Sequence, residues 1–585
     1  MQTMDPSVYD FQKFSSNLTS AYLKYQEVMG IFMSICANQE ADAPGSMIQE
    51  LSQVMLPVMQ FWSNPAIIMP MIQQFASSCA LNNLSSVKST DSNNRKFADS
   101  EWTNNPFFAF MKDTYIKQSD WLNNIAKCSN ISDEKQKKKL EFYTKRFSDA
   151  ISPANFAFSN PEVMREAIAS NGENFVKGME NLLQDLKAAQ KNGKFSIPTV
   201  DKTAFAVGEN LAITPGKVVY QNELIQLIQY EAVTKEVHKT PLLLIPAWIN
   251  KFYILDLQPA NSYVKWLTEQ GYTVFMISWV NPDKSFAHKT FEDYLMDGAV
   301  TAIKKVAEIT KEQKIHCAGY CLGGTLLAIA LAYLSAKKID IVQSVTFLTT
   351  LVDFAECGDV GVFIDEPELR FIESIMAKDG ILDGYYLYQT FSMLRADDMI
   401  WSFFINNYLL GKSPRAFDIL YWNSDSTSLP AAMHSLYLRR MYQDNALVVP
   451  NALKFGDISI DLRNIKIPAY ILSTKDDHIA PWKSAYKATS VYSGDKRFVL
   501  SGSGHVAGAI NHPSKEKYCY WTNEKLGKEP EAWLEQAKEF KGSWWNDWLV
   551  WMQKHGAAKI PQRSIDKKMV VEDAPGSYVK KKLSF

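Results

Sequence analysis

The chain has 585 residues and a formal net charge of -1, with 62 Lys and Arg against 63 Asp and Glu. That length implies roughly two to four domains, and near-neutrality leaves no global field to draw in nucleic acid or an anionic membrane. Hydrophobic residues at 46% and charged residues at 21% exclude general disorder, while 15 Trp, 26 Tyr and 32 Phe imply sizeable apolar surfaces such as a binding tunnel or a contact face.

The 7 cysteines form no CxxC pair, which speaks against a disulfide scaffold or a cysteine zinc site and for a reducing compartment. The start, "MQTMDPSVYDFQKFSS", has no basic segment followed by an apolar run, so no secretory signal is expected. The longest apolar stretch, 54–75, carries Pro57, Asn64, Pro65 and Pro70 and makes a poor membrane span. A soluble, cytoplasmic chain without a transmembrane segment is expected.

Residues 1–200 read as a mostly helical domain. They hold Met- and Phe-rich amphipathic stretches, a soft Ser/Asn segment at 81–96, and a basic run at 134–147 that reads as a solvated helix face. Nothing there looks catalytic, although apolar patches ahead of an enzyme domain could dock on a hydrophobic particle or partner.

From about 205 the pattern changes. Short apolar runs at 241–246, 272–279, 314–320, 344–350, 468–474 and 497–503 alternate with helical periods such as 291–310 and 322–338. Nearly continuous apolar strands interleaved with helices predict a parallel sheet covered on both faces. The alternation stops over 351–450, an aromatic, irregular stretch that reads as a lid or cap inserted between two strands. The expected class is α/β: an α/β-hydrolase fold over 201–585 with the cap at 351–450, preceded by the helical domain.

The segment "CAGYCLGGT", 317–325, is G-x-C-x-G between a predicted strand and a predicted helix. A nucleophile on so sharp a turn sits in strained backbone, and side chains at the flanking glycines would collide with it. The helix starting at Leu322 turns its positive end toward Cys321, which marks that thiol out. Cys317, inside the strand, reads as packing, as do Cys36, Cys79, Cys128, Cys357 and Cys519.

A nucleophile on this fold expects an acid after a later strand and a histidine after the next. Asp476, Asp477 and His478 follow the strand ending near 474, and His505 follows the one ending near 503. Asp477 is the preferred acid over Asp476. His505, flanked by Gly504 and Gly508, is the preferred base over His478, which more plausibly orients the loop. One oxyanion donor is the backbone N–H of Leu322, and the other belongs to the loop supplied by 242–257, near Ile249.

A serine at this turn gives an oxyester that water cleaves. A thiolate exchanges one thioester for another at nearly constant bond energy, and later transfer to an alcohol runs downhill. If the alcohol belongs to another acyl unit, the product is a polymer.

"GYCLGGT", "PAWINKFYILDL", "SWVNPD", "YWNSDSTSLP", "DDHIAPW", "GSGHVAGAIN", "GSWWNDWLVWM" and "DAPGSYVK" together resemble the poly(3-hydroxyalkanoate) synthases, whose single-subunit class I fits this length best. Ala247 stands where the family usually has a second proline. The resemblance implies polymerisation of (R)-3-hydroxyacyl-CoA into polyester granules with release of coenzyme A, by a homodimer on granule surfaces, together with granule-associated proteins. It implies no metal and no cofactor beyond the CoA of the substrate. It places catalysis on Cys321, Asp477 and His505, with Asp477 orienting the histidine or acting on the substrate hydroxyl. Trp422 would line the substrate path, and Ala507 and His478 would lie near the acyl group. Trp544, Trp548 and Trp551 share one helical face and read as core, with a polymer contact as the alternative. Two rivals are a cysteine-nucleophile thioesterase or esterase of the same fold and a catalytically silent granule scaffold.

Overall fold

A computed structural model of the protein describes residues 10–37, 95–129 and 131–582. The apolar stretch 54–75 and the Ser/Asn segment up to residue 94 lie outside the described residues. The described chain forms two compact units, one of 10–201 with 389–416, the other of 202–388 with 417–582. The inserted span 351–450 is therefore divided between them.

The first unit is helical. Its helix α1 (Phe11–Ala37) buries Phe14, Ala21, Val28 and Ile35, a stripe repeating every seven residues. Asn105 and Asp133 cap α2 (Pro106–Lys127) and α3 (Glu134–Ala150) by accepting backbone N–H groups of their first turns. The basic run rides on α3 largely exposed, as expected of a solvated face. Helix α4 (Glu173–Asn192) buries Phe175, Met179, Leu182 and Leu186 in a core shared with Trp401, Phe404 and Tyr408 of the inserted segment. Gly178 admits that segment: a Cβ there would lie 2.0 Å from the Tyr408 carbonyl oxygen.

The second unit is built on one sheet: β1 (Gly216–Gln221), β2 (Ile225–Tyr230), β3 (Leu242–Ile245), β4 (Val274–Trp279), β5 (Ile315–Tyr320), β6 (Val342–Leu348), β7 (Ala469–Thr474), β8 (Lys496–Ser501), β9 (Cys519–Thr522), β10 (Lys538–Lys541) and β11 (Glu572–Asp573). Their spatial order is β10-β9-β8-β7-β6-β5-β3-β4-β2-β1-β11. The six strands expected from the sequence are β3 to β8, and they pair parallel as one continuous block. Every residue of β3, β4, β5 and β7 is buried, as strands covered on both faces must be.

The antiparallel flanks, β1, β2 and β11 on one side and β9 and β10 on the other, are additions that the apolar-run criterion did not reveal. Helix α5 (Thr301–Thr310) extends a helical run from Phe291 through a π-helical stretch at Tyr294–Val300. Helix α6 (Leu322–Ala336) is apolar all round and almost wholly buried. Helix α7 (Trp545–His555) buries Trp545, Trp548 and Trp551 beside Trp544, with the Trp548 indole donating to Thr346 Oγ1 at 2.9 Å. The tryptophan cluster is core.

Candidate active site: a thiol at the end of a parallel strand

The carboxyl ends of β3, β5, β7 and β8 bring four loops to one edge of the sheet, the edge where open α/β sheets assemble ligand sites. Cys321 stands between β5 and α6 at φ 53° and ψ -122°, a conformation a side-chain-bearing residue holds only when its surroundings enforce it. The enforcement is visible. Its amide donates to Leu348 O at 2.9 Å, and its carbonyl accepts from the amides of Gly324 at 2.9 Å and Thr325 at 3.2 Å. The glycines are required by contact: a Cβ on Gly323 would sit 2.1 Å from Ile245 O, and one on Gly319 would sit 2.4 Å from Gly324 Cα.

His505, on the loop after β8, places Nδ1 2.7 Å from Asp477 Oδ2, and Cys321 lies close enough to act electrostatically on the same ring. With Nδ1 committed to the carboxylate, Nε2 is the nitrogen left to the sulfur. Asp477 Oδ1 accepts the amides of Ile479 at 2.9 Å and Ala480 at 2.8 Å, and Oδ2 also accepts Thr474 Oγ1 at 3.2 Å. The Asp477 side chain is 0% exposed and that of His505 8%.

Burial pushes the Asp477 carboxyl up, but the charge of His505, its hydrogen bond and the two amides outweigh it, so the pKa lies below the ordinary value. Burial likewise pulls His505 down, and the charges of Asp477 and Cys321 with their hydrogen bonds reverse it, raising its pKa well above the usual imidazole value. The arrangement stabilises an imidazolium at His505 against the Asp477 carboxylate.

The rival acid Asp476 is exposed and serves through its backbone, donating to Ser503 O at 3.0 Å. His478 is half-buried beside Asp477, and its carbonyl abuts Gly358, where a Cβ would lie 2.6 Å away. Leu322 heads α6 directly after the cysteine, where a first-turn N–H has no acceptor within the helix. Ile249 packs on the core that also receives Cys321, and its carbonyl accepts the Thr427 amide at 3.3 Å. Trp422 is buried and donates its indole N–H to Lys251 O at 2.7 Å. Ala507 is half-buried in the turn that carries His505.

Several supports escaped the sequence argument. The indole N–H groups of Trp544 and Trp545 reach the carbonyls of Gly508 and Ala509 at 3.1 and 3.0 Å, bracing the histidine loop from below. Tyr320, just before the cysteine, sits with its ring centroid 5.5 Å from that of His505. Tyr437 and Tyr442, from the inserted span, pack edge to face with ring centroids 5.3 Å apart, and burial raises both hydroxyl pKa values. Their only sequence signal was the aromatic richness of that span. Among the described residues, no group of His, Cys, Asp and Glu could hold a metal ion, and no helix is long and apolar enough to cross a membrane.

A mixed sheet with this strand order, a strained strand-to-helix turn carrying a thiol, and an acid–histidine pair after later strands define an α/β-hydrolase fold with cysteine in the nucleophile's place. Residues 240–509 match the family model of the alpha/beta hydrolase fold, and residues 93–267 match that of the poly-beta-hydroxybutyrate polymerase (PhaC) N-terminus. The chain is 45% identical over 489 residues to the poly(3-hydroxyalkanoate) polymerase subunit PhaC of Rhizobium meliloti, covering 83% of this chain and 80% of that one. It is 42% identical over 496 residues to the corresponding subunit of Cupriavidus necator, covering 83% of each chain. With poly(3-hydroxyalkanoate) polymerase 2 of Ectopseudomonas oleovorans it shares 36% over 489 residues, 83% of this chain and 86% of that one. The chain belongs to the poly(3-hydroxyalkanoate) polymerase family.

Proposed function

We propose that the chain polymerises (R)-3-hydroxyacyl-CoA thioesters into a polyester and releases CoA, carrying the acyl group on Cys321. The observation that carries this reading is a thiol, not a hydroxyl, on the strained turn beside a buried, hydrogen-bonded His505–Asp477 pair in a chain of the polymerase family.

In the first half-reaction the Cys321 thiolate attacks the thioester carbonyl, and the negative charge passes to oxygen. The amides of Leu322 and of the loop near Ile249 receive that charge. Collapse breaks the bond to the CoA sulfur, which leaves with the proton of His505 Nε2. In the second half-reaction the 3-hydroxyl of another acyl unit gives its proton to His505 Nε2 while its oxygen attacks the Cys321 thioester. An oxyester forms, the carbon–sulfur bond breaks, and the thiolate–imidazolium pair is restored.

Both Asp477 oxygens are engaged, by His505, Thr474 and two amides, which supports an orienting role over proton abstraction from the substrate. The reading needs no cofactor beyond the substrate's CoA. It extends to a homodimer in the cytoplasm on the surface of its apolar product, with granule-associated proteins as partners. Exposed Phe110, Trp121 and Phe147 of the helical unit support such an apolar contact.

Incubation with 3-hydroxybutyryl-CoA tests the reading: CoA release with insoluble polyester is expected. Free hydroxy acid in place of polymer makes the chain a thioesterase. CoA release that survives Cys321→Ala removes the covalent step, and no release from the intact chain leaves a scaffold. Sedimentation of the protein with its polymer, and its mass in solution, check the granule and dimer assignments.

A further inference from the structure

The loop that follows β3 is gripped residue by residue by the segment 422–428. Thr427 Oγ1 donates to the carbonyls of Trp248 at 2.5 Å and Ile249 at 2.7 Å, and the Thr427 amide adds a bond to Ile249 O at 3.3 Å. Asn250 and Ser426 form an antiparallel bridge. Two residues on, Lys251 Nζ pairs with Asp425 Oδ1 at 2.8 Å, while Tyr253 Oη donates to Asp425 Oδ2 at 2.8 Å. The Lys251 carbonyl accepts the Trp422 indole, and its ammonium also donates to Lys581 O at 2.9 Å.

The direction of these bonds matters more than their number. The only cis peptide bond among the described residues is Ala574–Pro575, so the peptide joining Trp248 to Ile249 is trans. In a trans peptide the carbonyl of one residue and the N–H of the next point opposite ways. A hydroxyl pulling the Trp248 carbonyl toward Thr427 therefore turns the Ile249 N–H away from Thr427 and out of the clasp. The charged pair behind it is 3% and 9% exposed, with Lys251 pulled down by burial and held up by Asp425. A buried ion pair is a poor source of stability compared with apolar packing, and its best-attested use is to fix one arrangement among several.

We propose that Thr427 is a positioning residue for the acyl transfer. Its hydroxyl sets the peptide plane that aims the Ile249 N–H at the developing oxyanion, and the Lys251–Asp425 pair with the Lys581 carbonyl holds the loop against Thr427. The proposal deepens the polymerase reading and rests on it for the substrate.

The test separates two reactions of one sulfur. Alkylation of Cys321 by iodoacetamide displaces iodide and develops no oxyanion, whereas attack on a thioester does. In the full chain, Thr427→Val is expected to slow single-turnover CoA release from 3-hydroxybutyryl-CoA by roughly 10- to 100-fold, below or near the effect of deleting one oxyanion donor. Iodoacetamide alkylation should stay unchanged, and Thr427→Ser should restore release. Lys251→Met is expected to show the same split more weakly. Unchanged CoA release in Thr427→Val overturns the proposal, as does parallel loss of alkylation or a failure of Thr427→Ser to rescue. If the unaltered chain releases no CoA, the polymerase reading is what fails. The clasp is then read with a p-nitrophenyl acyl ester, whose attack by Cys321 needs the same oxyanion donors.

Discussion

Cys317 lies inside β5 and Cys321 one residue past its end, and the two regions give the same side chain opposite properties. Cys317 pairs across the sheet with Leu243 and Val345, is 1% exposed, and has its thiol proton held far more tightly by burial alone. Cys321 is half-buried, in left-handed backbone, beside an imidazole whose proton affinity is raised. The difference is not composition. It is the place where a parallel strand stops and its backbone must turn, which frees a side chain from the ladder and aims it at the loops of neighbouring strands.

Breaking the turn's side of this comparison has the largest expected effect. Cys321→Ala should lower CoA release by roughly 10⁴-fold or more, followed with a thiol reagent. Asp477→Asn comes next, at about 10²- to 10⁴-fold in turnover, because the imidazole loses the anion that holds its proton and orientation.

The same substitution has a stability signature. His505 is raised in the folded protein, so its contribution is complete below about pH 6.5 and is lost as pH rises through the folded value. Asp477 is depressed, so its contribution is present above about pH 4 and is lost as pH falls through the folded value. The gap in melting temperature between the intact chain and Asp477→Asn should therefore be widest between about pH 4 and 6.5, and narrow on either side.

Gly323→Ala drives a Cβ to 2.1 Å from Ile245 O, backbone that cannot swing away. A loss of about 1–3 kcal/mol, read as a lower melting temperature, should accompany reduced CoA release. The strand's side should break least: Cys317→Ala removes one buried sulfur, with about 1 kcal/mol lost and turnover unchanged.

What the sequence disclosed follows the same physics. The parallel strands were legible because burial on both faces leaves no polar residue to interrupt the run, as in the wholly buried "LLLI" of β3. The flanking strands were not. In β10, "KEFK", the side chains are mostly exposed and the apolar signal vanishes. The strand-to-helix turn at Cys321 was legible because its glycine contacts are local in sequence. Of the two neighbouring aspartates, Asp477 is the one that meets the imidazole. The span 351–450 announced itself only as irregular, and its division at 389–416 could not be foreseen, since Trp401, Phe404 and Tyr408 find their packing partners on α4, more than two hundred residues earlier. Lys251 and Asp425 each look like ordinary surface charges, and a pairing so distant in sequence leaves no periodic trace.

The bond from Lys251 to the Lys581 carbonyl joins positions 330 residues apart. At about 5–20 residues per second of synthesis, the donor emerges well over ten seconds before its acceptor exists. Throughout that interval the ammonium must remain hydrated or find a temporary counterpart. The final fit of this edge of the sheet therefore waits until residue 581 has been made, and acyl transfer should appear only once that stretch docks, rather than when the sheet first closes.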